Sequence, residues 1–233
     1  MKNKNERVFT INRTEVLNAI SKAIMANKND KPLRVGISGI TSSGKTTLAN
    51  ELSKQLGKMG VPVIQARMDD FHNPKSVRYQ RGRESAEGYY LDAYDHQSLL
   101  NKLLIPLGPN GNRQYSVKSL DLSSDQYVDS AIETAKENSL LLIDGTFLFK
   151  DDLRKELDFM IYVQTDIDIA LERGSLREQH ALGGLERAKS IFIERYHAAS
   201  RMYLDEHEPA KYADMILVNN DLDHPELIVN NRK

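Results

Sequence analysis

The stretch GISGITSSGKTTLA, residues 36–49, stands where the apolar run Leu33, Val35, Ile37 gives way to a segment with Leu48, Leu52 and Leu56 in i, i+4 rows. A strand should therefore turn into a helix running from Lys45 to about Met59. From Gly39 to Thr46 the residues satisfy G-x-x-x-x-G-K-[ST] at every fixed position. The glycines let the backbone curl so that successive N–H groups point inward around an anion. The following helix aims the positive end of its dipole at the same point. In that setting Lys45 reaches the β- and γ-phosphates and the Thr46 hydroxyl ligates Mg²⁺. The expected contacts are Gly39, Thr41, Ser42, Ser43, Gly44, Lys45, Thr46 and Thr47. Strand–loop–helix context separates this pattern from an ordinary Gly/Ser-rich loop and implies a bound nucleoside triphosphate, with ATP and Mg²⁺ as the expected pair.

Working outward, Gly57 and Gly60 mark the end of that helix, and VPVIQARM (61–68) supplies a second strand. SLLLIDG (139–145) and FMIYVQT (159–165) are apolar runs that need cover on both faces, as parallel strands do. HQSLLNKLLIPL (96–107), the polar segment from about Asp168 and residues 185–207 read as helices, RQYSVKSL (113–120) as a hairpin, and ADMILVNN (213–220) closes the sheet. Strand alternating with helix predicts an α/β fold, a doubly wound parallel sheet of the P-loop nucleoside triphosphate hydrolase type with a helical lid. One domain is expected over residues 1–233. It comprises an N-terminal helical extension (1–32), an acceptor-pocket insertion (about 70–95) and a lid (about 168–184). In the extension Thr14 is the expected cap of a helix whose stripe is Val16, Leu17, Ile20, Ala23 and Ile24, and MKNKNERVFTINR (1–13) is expected to be solvated.

The 32 basic and 33 acidic side chains nearly cancel, so charge gives no argument for nucleic acid or an anionic membrane. With no cysteine, a disulfide framework, a cysteine nucleophile and thiolate metal sites are excluded. No apolar stretch approaches the roughly 20 residues that span a bilayer, and the first residues lack a secretory apolar core. A soluble, cytoplasmic protein is expected, with a small-molecule partner, no nucleic acid, no membrane, and a homo-oligomer left open.

Two carboxylate positions narrow the chemistry. Asp144 ends an apolar run, at the carboxyl edge of a strand where it can join the Mg²⁺ shell or simply turn the chain before Gly145. Asp69 and Asp70 follow the second strand in the same way, and one of the two can accept the proton of an attacking hydroxyl. Arg173 and Arg177, at i, i+4, share a helix face that either closes over the transferring phosphoryl group or meets solvent beside Glu172 and Glu178. The long polar, aromatic segment DDFHNPKSVRYQRGRESAEGYYLDAYD (69–95) suits a functional insertion.

GITSSGKTT, MDDFH, AYDHQSLL, LLIDGTFLFKDDLRKELDFMIYVQTDIDIALERGSLRE and KYADMIL occur in the order and spacing of the uridine kinase/phosphoribulokinase family. The chain resembles that family over about residues 33–218, and most closely its bacterial uridine kinase-like branch. The resemblance implies a kinase passing the γ-phosphoryl of ATP to a small-molecule hydroxyl, foremost the 5′-hydroxyl of uridine or cytidine. Asp69 would be the base, with His72 in place of an aromatic substrate contact. His96, in Tyr94-Asp95-His96-Gln97, would read the pyrimidine, Asp144 would serve the metal, and Arg173 and Arg177 would be lid arginines. Three positions depart from the pattern: no proline follows His96, Gly174 interrupts an Arg-Arg pair, and Arg195 stands where a glutamine is usual. Another acceptor, such as pantothenate or another riboside, and a regulatory ATPase are the competing expectations.

Overall fold

The computed structural model describes residues 6–10, 12–128 and 131–230. The chain opens with β1 (Glu6–Thr10), α1 (Arg13–Ala26), β2 (Leu33–Ser38), α2 (Lys45–Lys58) and β3 (Val63–Arg67). A 3₁₀ turn (Met68–Phe71) leads into the short helices α3 (Lys75–Arg78), α4 (Ala86–Asp92) and α5 (His96–Leu99), the last continued by a π-helical turn (Leu100–Leu104). Four two-residue strands follow, β4 (Gln114–Tyr115), β5 (Leu120–Asp121), β6 (Gln126–Tyr127) and β7 (Glu133–Thr134). Then come β8 (Leu140–Gly145), α6 (Asp151–Arg154), β9 (Phe159–Gln164), α7 (Ile167–Glu178) and α8 (Leu185–Ile191). A second π-helical turn (Phe192–His197), α9 (Ala198–His207), α10 (Pro209–Tyr212), β10 (Met215–Val218) and β11 (Glu226–Asn230) complete it.

Seven strands form the central sheet in the order β1-β11-β10-β9-β2-β8-β3. The five from β10 to β3 are parallel, and β11 and β1 add an antiparallel margin. The alternation of side chains along β8, with a core on each face, explains why Leu140–Ile143 are all apolar. Leu140 and Leu142 pack with Val16, Ile20, Leu48 and Leu52 of α1 and α2, while Leu141 and Ile143 face Leu103, Phe147 and Tyr203 on the other side. Both faces are covered, so the strand needs no polar side.

The structure corrects four local expectations. Residues 6–10 pair with β11 as an edge strand instead of forming a solvated tail, and β11 itself lies beyond the strand expected to close the sheet. The cap of α1 is Asn12, not Thr14: its side chain accepts the Glu15 N–H at 3.0 Å, and the Glu15 carboxylate accepts the Asn12 N–H at 3.1 Å. Residues 113–120 do not form a hairpin on themselves. Gln114–Tyr115 pairs with Glu133–Thr134, and Leu120–Asp121 with Gln126–Tyr127. Among the described residues no helix is long and apolar enough to cross a membrane.

Candidate active site

The loop between β2 and α2 lies at the carboxyl edge of the sheet, between β8 and β9, the two strands that flank β2. Its shape depends on absent side chains. Gly44 has φ +101°, and a Cβ there would stand 2.5 Å from Asn219 Nδ2; a Cβ at Gly39 would stand 2.6 Å from Ser43 Oγ. Two donors hold the loop from behind: Thr165 Oγ1 and Asn219 Nδ2 both donate to the Ser43 carbonyl, at 3.1 and 2.8 Å. Arg13 of α1 in turn donates to Asn219 Oδ1 at 3.1 Å and pairs with Glu51 of α2. The N-terminal helix thereby orients the amide that braces the phosphate loop.

Thr41, Ser42, Gly44, Lys45, Thr46 and Thr47 line a cavity of about 140 Å³ together with Asp69, Asp144 and Arg177. Gly39 and Ser43 are outside its lining, and the Ser43 N–H is spent on the Ile40 carbonyl. Their part is to shape the loop. Lys45 is buried and donates to the Ile40 carbonyl at 2.9 Å. Burial pushes its pKa down to about 8, against the pull of Asp144 and Asp69 and with help from Arg177.

The Thr46 hydroxyl donates to Asp144 Oδ2 at 2.6 Å, while Asp144 Oδ1 is buried with no partner. Burial raises the Asp144 pKa, with Thr46 and Lys45 opposing. A hydroxyl beside one carboxylate with an orphaned oxygen fits Mg²⁺, which takes one or two protein carboxylates and fills its shell with phosphate oxygens and water. No group of three or more acidic, histidine or cysteine ligands exists among the described residues, and such a site needs none.

Asp69 and Asp70 diverge in the 3₁₀ turn after β3. Asp70 is held by Arg67, whose Nε donates to it at 3.1 Å. Asp69 instead lines the phosphate-side cavity and a second one of about 420 Å³. The Tyr94 hydroxyl donates to Asp69 Oδ1 at 2.9 Å. Burial, then the Asp69 charge, holds the Tyr94 pKa well above its ordinary value, so this tyrosine stays a donor.

The second cavity is walled by His72, Tyr79, Tyr89, Tyr94, Arg195 and Tyr196, among others. His72 Nδ1 lies 2.8 Å from the Asp69 carbonyl and its ring 4.4 Å from that of Tyr94. Burial lowers its pKa and favours the neutral ring, despite the nearby Asp69. Arg195 also stands in this wall, as its sequence position suggests.

Two residues expected in the site point elsewhere. His96 is in the lining of neither cavity; its Nδ1 lies 2.8 Å from Asp152 Oδ2 of α6. Arg173 donates to the carbonyls of Asn219 and Asn220 at 2.8 and 2.7 Å, tying α7 to the end of β10. Arg177, one turn on, lines both cavities and reaches Ser42 Oγ at 3.3 Å while pairing with Glu178 at 2.8 Å. Gly174 is no hinge. A Cβ there would overlap the ring edge of Phe192 and stand 2.6 Å from Ser42 Oγ, so the glycine lets α7 lie close to the loop. The left-handed glycines of this segment are Gly183 and Gly184, in the turn to α8.

Tyr94, Tyr89, Arg78, Thr165 and Asn219 escaped the sequence reading. The first three lie in the aromatic, basic stretch already marked as an insertion. Thr165 and Asn219 each directly follow a strand, β9 and β10, at the carboxyl edge where ligands bind in such sheets.

A parallel sheet bearing this loop, with a lysine, a metal-suited Thr–Asp pair and a carboxylate facing a separate cavity, defines a P-loop phosphotransferase. Residues 34–217 match the Phosphoribulokinase / Uridine kinase family, and the chain belongs to it. It is 26% identical over 189 residues to a uridine kinase of Clostridium perfringens, covering 80% of this chain and 87% of that one. It is 27% identical over 195 residues to a uridine kinase of Limosilactobacillus reuteri, covering 82% and 84%. Among solved structures, one described as a possible uridine kinase from Bacillus stearothermophilus superposes with a TM-score of 0.67 at 28% identity, covering 87% of this chain and 97% of that one. The protein is an ATP-dependent kinase.

Proposed function

We propose that the protein transfers the γ-phosphoryl group of ATP to a hydroxyl of a small molecule held in the 420 Å³ cavity, with Asp69 as the base. The observation that carries this reading is the position of Asp69 in the walls of both cavities, oriented by Tyr94. The acceptor oxygen attacks the γ-phosphorus as its proton passes to Asp69, and the bond between that phosphorus and the β,γ-bridging oxygen breaks to release ADP. Lys45 and Arg177 face the transferring group and counter its spreading charge. Mg²⁺ held by Thr46 and Asp144 would neutralise charge on the β- and γ-oxygens.

The names of the relatives support uridine as acceptor. The cavity favours another hydroxylated metabolite, because His96 is turned to Asp152 and Arg195 takes a place in the wall. The reading is tested by ADP release with a panel of nucleosides and hydroxylated acids and sugars. Acceptor-dependent release that Asp69→Asn lowers by about 10² or more supports it. Release that no acceptor stimulates leaves an ATPase and overturns it.

A further inference from the structure

Among the described residues, one arginine in the wall of the acceptor cavity has no ion-pair partner. That wall carries three arginines, Arg78, Arg177 and Arg195, against Asp69 and Glu178. Arg78 is paired with Asp125 at 3.0 Å, and Arg177 with Glu178 at 2.8 Å. Arg195 forms no ion pair among the described residues, and its Nε is buried with no hydrogen-bond partner. Its Nη1 donates to the Tyr196 hydroxyl at 3.4 Å, and the guanidinium otherwise rests among tyrosine rings, 4.8 Å from the centre of Tyr89, 5.1 Å from Tyr196 and 5.9 Å from Tyr79.

The backbone that presents it is also unusual. Arg195 lies in the π-helical turn Phe192–His197, a rare geometry that often re-aims side chains at functional sites. A neighbouring cavity of about 300 Å³ shares Tyr79, Arg195 and Tyr196 with the acceptor cavity and adds Arg83 and Arg187 against Glu84. A dry donor without an acceptor is a standing cost that a bound oxygen anion relieves. The planar guanidinium fork suits a carboxylate or a phosphate monoester, with two parallel bonds to either. A neutral nucleoside brings no negative charge to offset the guanidinium.

We propose that the acceptor carries, besides the hydroxyl that is phosphorylated, a carboxylate or phosphate monoester bound by Arg195, and that Arg195 selects for it. This rests on the kinase reading above, in which Asp69 and Arg195 face one bound acceptor.

The test uses the full chain saturated with Mg²⁺ and a non-hydrolysable ATP analogue, so that the phosphate loop is filled. Thermal unfolding is then followed with pairs of probes that differ in charge: pantothenate against panthenol, ribose 5-phosphate against ribose, and uridine alone. The expected result is that at least one anion raises the melting temperature while its neutral partner and uridine do not. A response to pantothenate only assigns a carboxylate, and to ribose 5-phosphate only a phosphate ester. Arg195→Gln should weaken that anion's binding by about 10- to 100-fold, and Arg195→Lys should restore part of it. The stabilisation each variant gains from the ATP analogue reports that it is folded.

An equal response to neutral probes or uridine, an anion response indifferent to Arg195→Gln, or no response to either anion overturns the inference. Uridine-dependent ADP release that survives Arg195→Gln does the same and leaves the kinase standing. Absence of any stabilisation by the ATP analogue, with no acceptor-dependent ADP release, refutes the kinase reading itself.

Discussion

Gly174→Ala separates two accounts of the helix that carries Arg177, because they predict opposite signs. If Gly174 were a hinge in a mobile lid, alanine would remove helix-breaking freedom and stabilise the protein by about 0.4–1 kcal/mol. In the structure α7 lies against the phosphate loop and the second π-helical turn, and the new methyl would overlap Phe192. That ring is fully buried and packed edge-on against Tyr196 at 5.1 Å and His197 at 5.6 Å, so it cannot swing away. Ser42 Oγ, the other close neighbour, can rotate, at the expense of its bond from Arg177. Overpacking costs about 1–3 kcal/mol, and regained helix propensity offsets about 1 kcal/mol. The net is a loss of up to about 2 kcal/mol, or a melting temperature lowered by up to about 4–8 °C for a chain of this length. Calorimetric or fluorimetric melting measures it, and the KM for ATP should rise with it because the loop must yield. A variant that melts higher than the parent with an unchanged KM would refute the packing argument and restore the hinge.

Asp69→Asn should lower kcat by about 10²–10⁴ with little change in the KM for ATP, whereas Asp70→Asn, which loses only the Arg67 pair, should do far less; the reverse order would move the base to Asp70. Arg173→Ala should cost about 1.5–3 kcal/mol of stability through its two carbonyl bonds, while Arg177→Ala should lower kcat without moving the melting temperature, and equal melting losses in both would contradict their different placement. Lys45 is held near pKa 8 in the free protein, below its ordinary 10.5, and bound phosphates should draw it back up. ATP binding should therefore take up a proton between about pH 8 and 10.5, with affinity falling as pH rises through that window; a binding enthalpy at pH 8.5 that ignores the ionisation enthalpy of the buffer would contradict this, and Lys45→Ala should abolish the buffer dependence.

The features legible in the sequence are those fixed by local geometry. The phosphate loop needs its glycines and lysine at set intervals, and the buried parallel strands need unbroken apolar runs. Both were therefore visible in residues 33–49, 139–145 and 159–165. Asp144 could be placed for the same reason, since the end of an apolar run is the end of a strand. Direction was not legible. Spacing at i, i+4 puts Arg173 and Arg177 on one helix face, yet one turn of rise carries them to different partners. Arg173 meets carbonyls just beyond β10, which its guanidinium satisfies, and Arg177 meets the phosphate loop. His96 shows the same limit: a motif fixes its position in the chain, but a carboxylate 56 residues on, at Asp152, decides where the ring points. The antiparallel margin was illegible because β1, at the edge, has β11 as its one neighbour, and 215 residues of chain lie between Thr10 and Glu226. Arg195 was found by its difference from a glutamine, and only the fold reveals what that difference does. It sets an unpaired positive charge among tyrosines in a wall shared with Asp69. On the proposed reading, a site that keeps the family's phosphate chemistry changes its acceptor at one position, because the proposed base, Asp69, and the proposed acceptor-reading residue, Arg195, sit on separate elements.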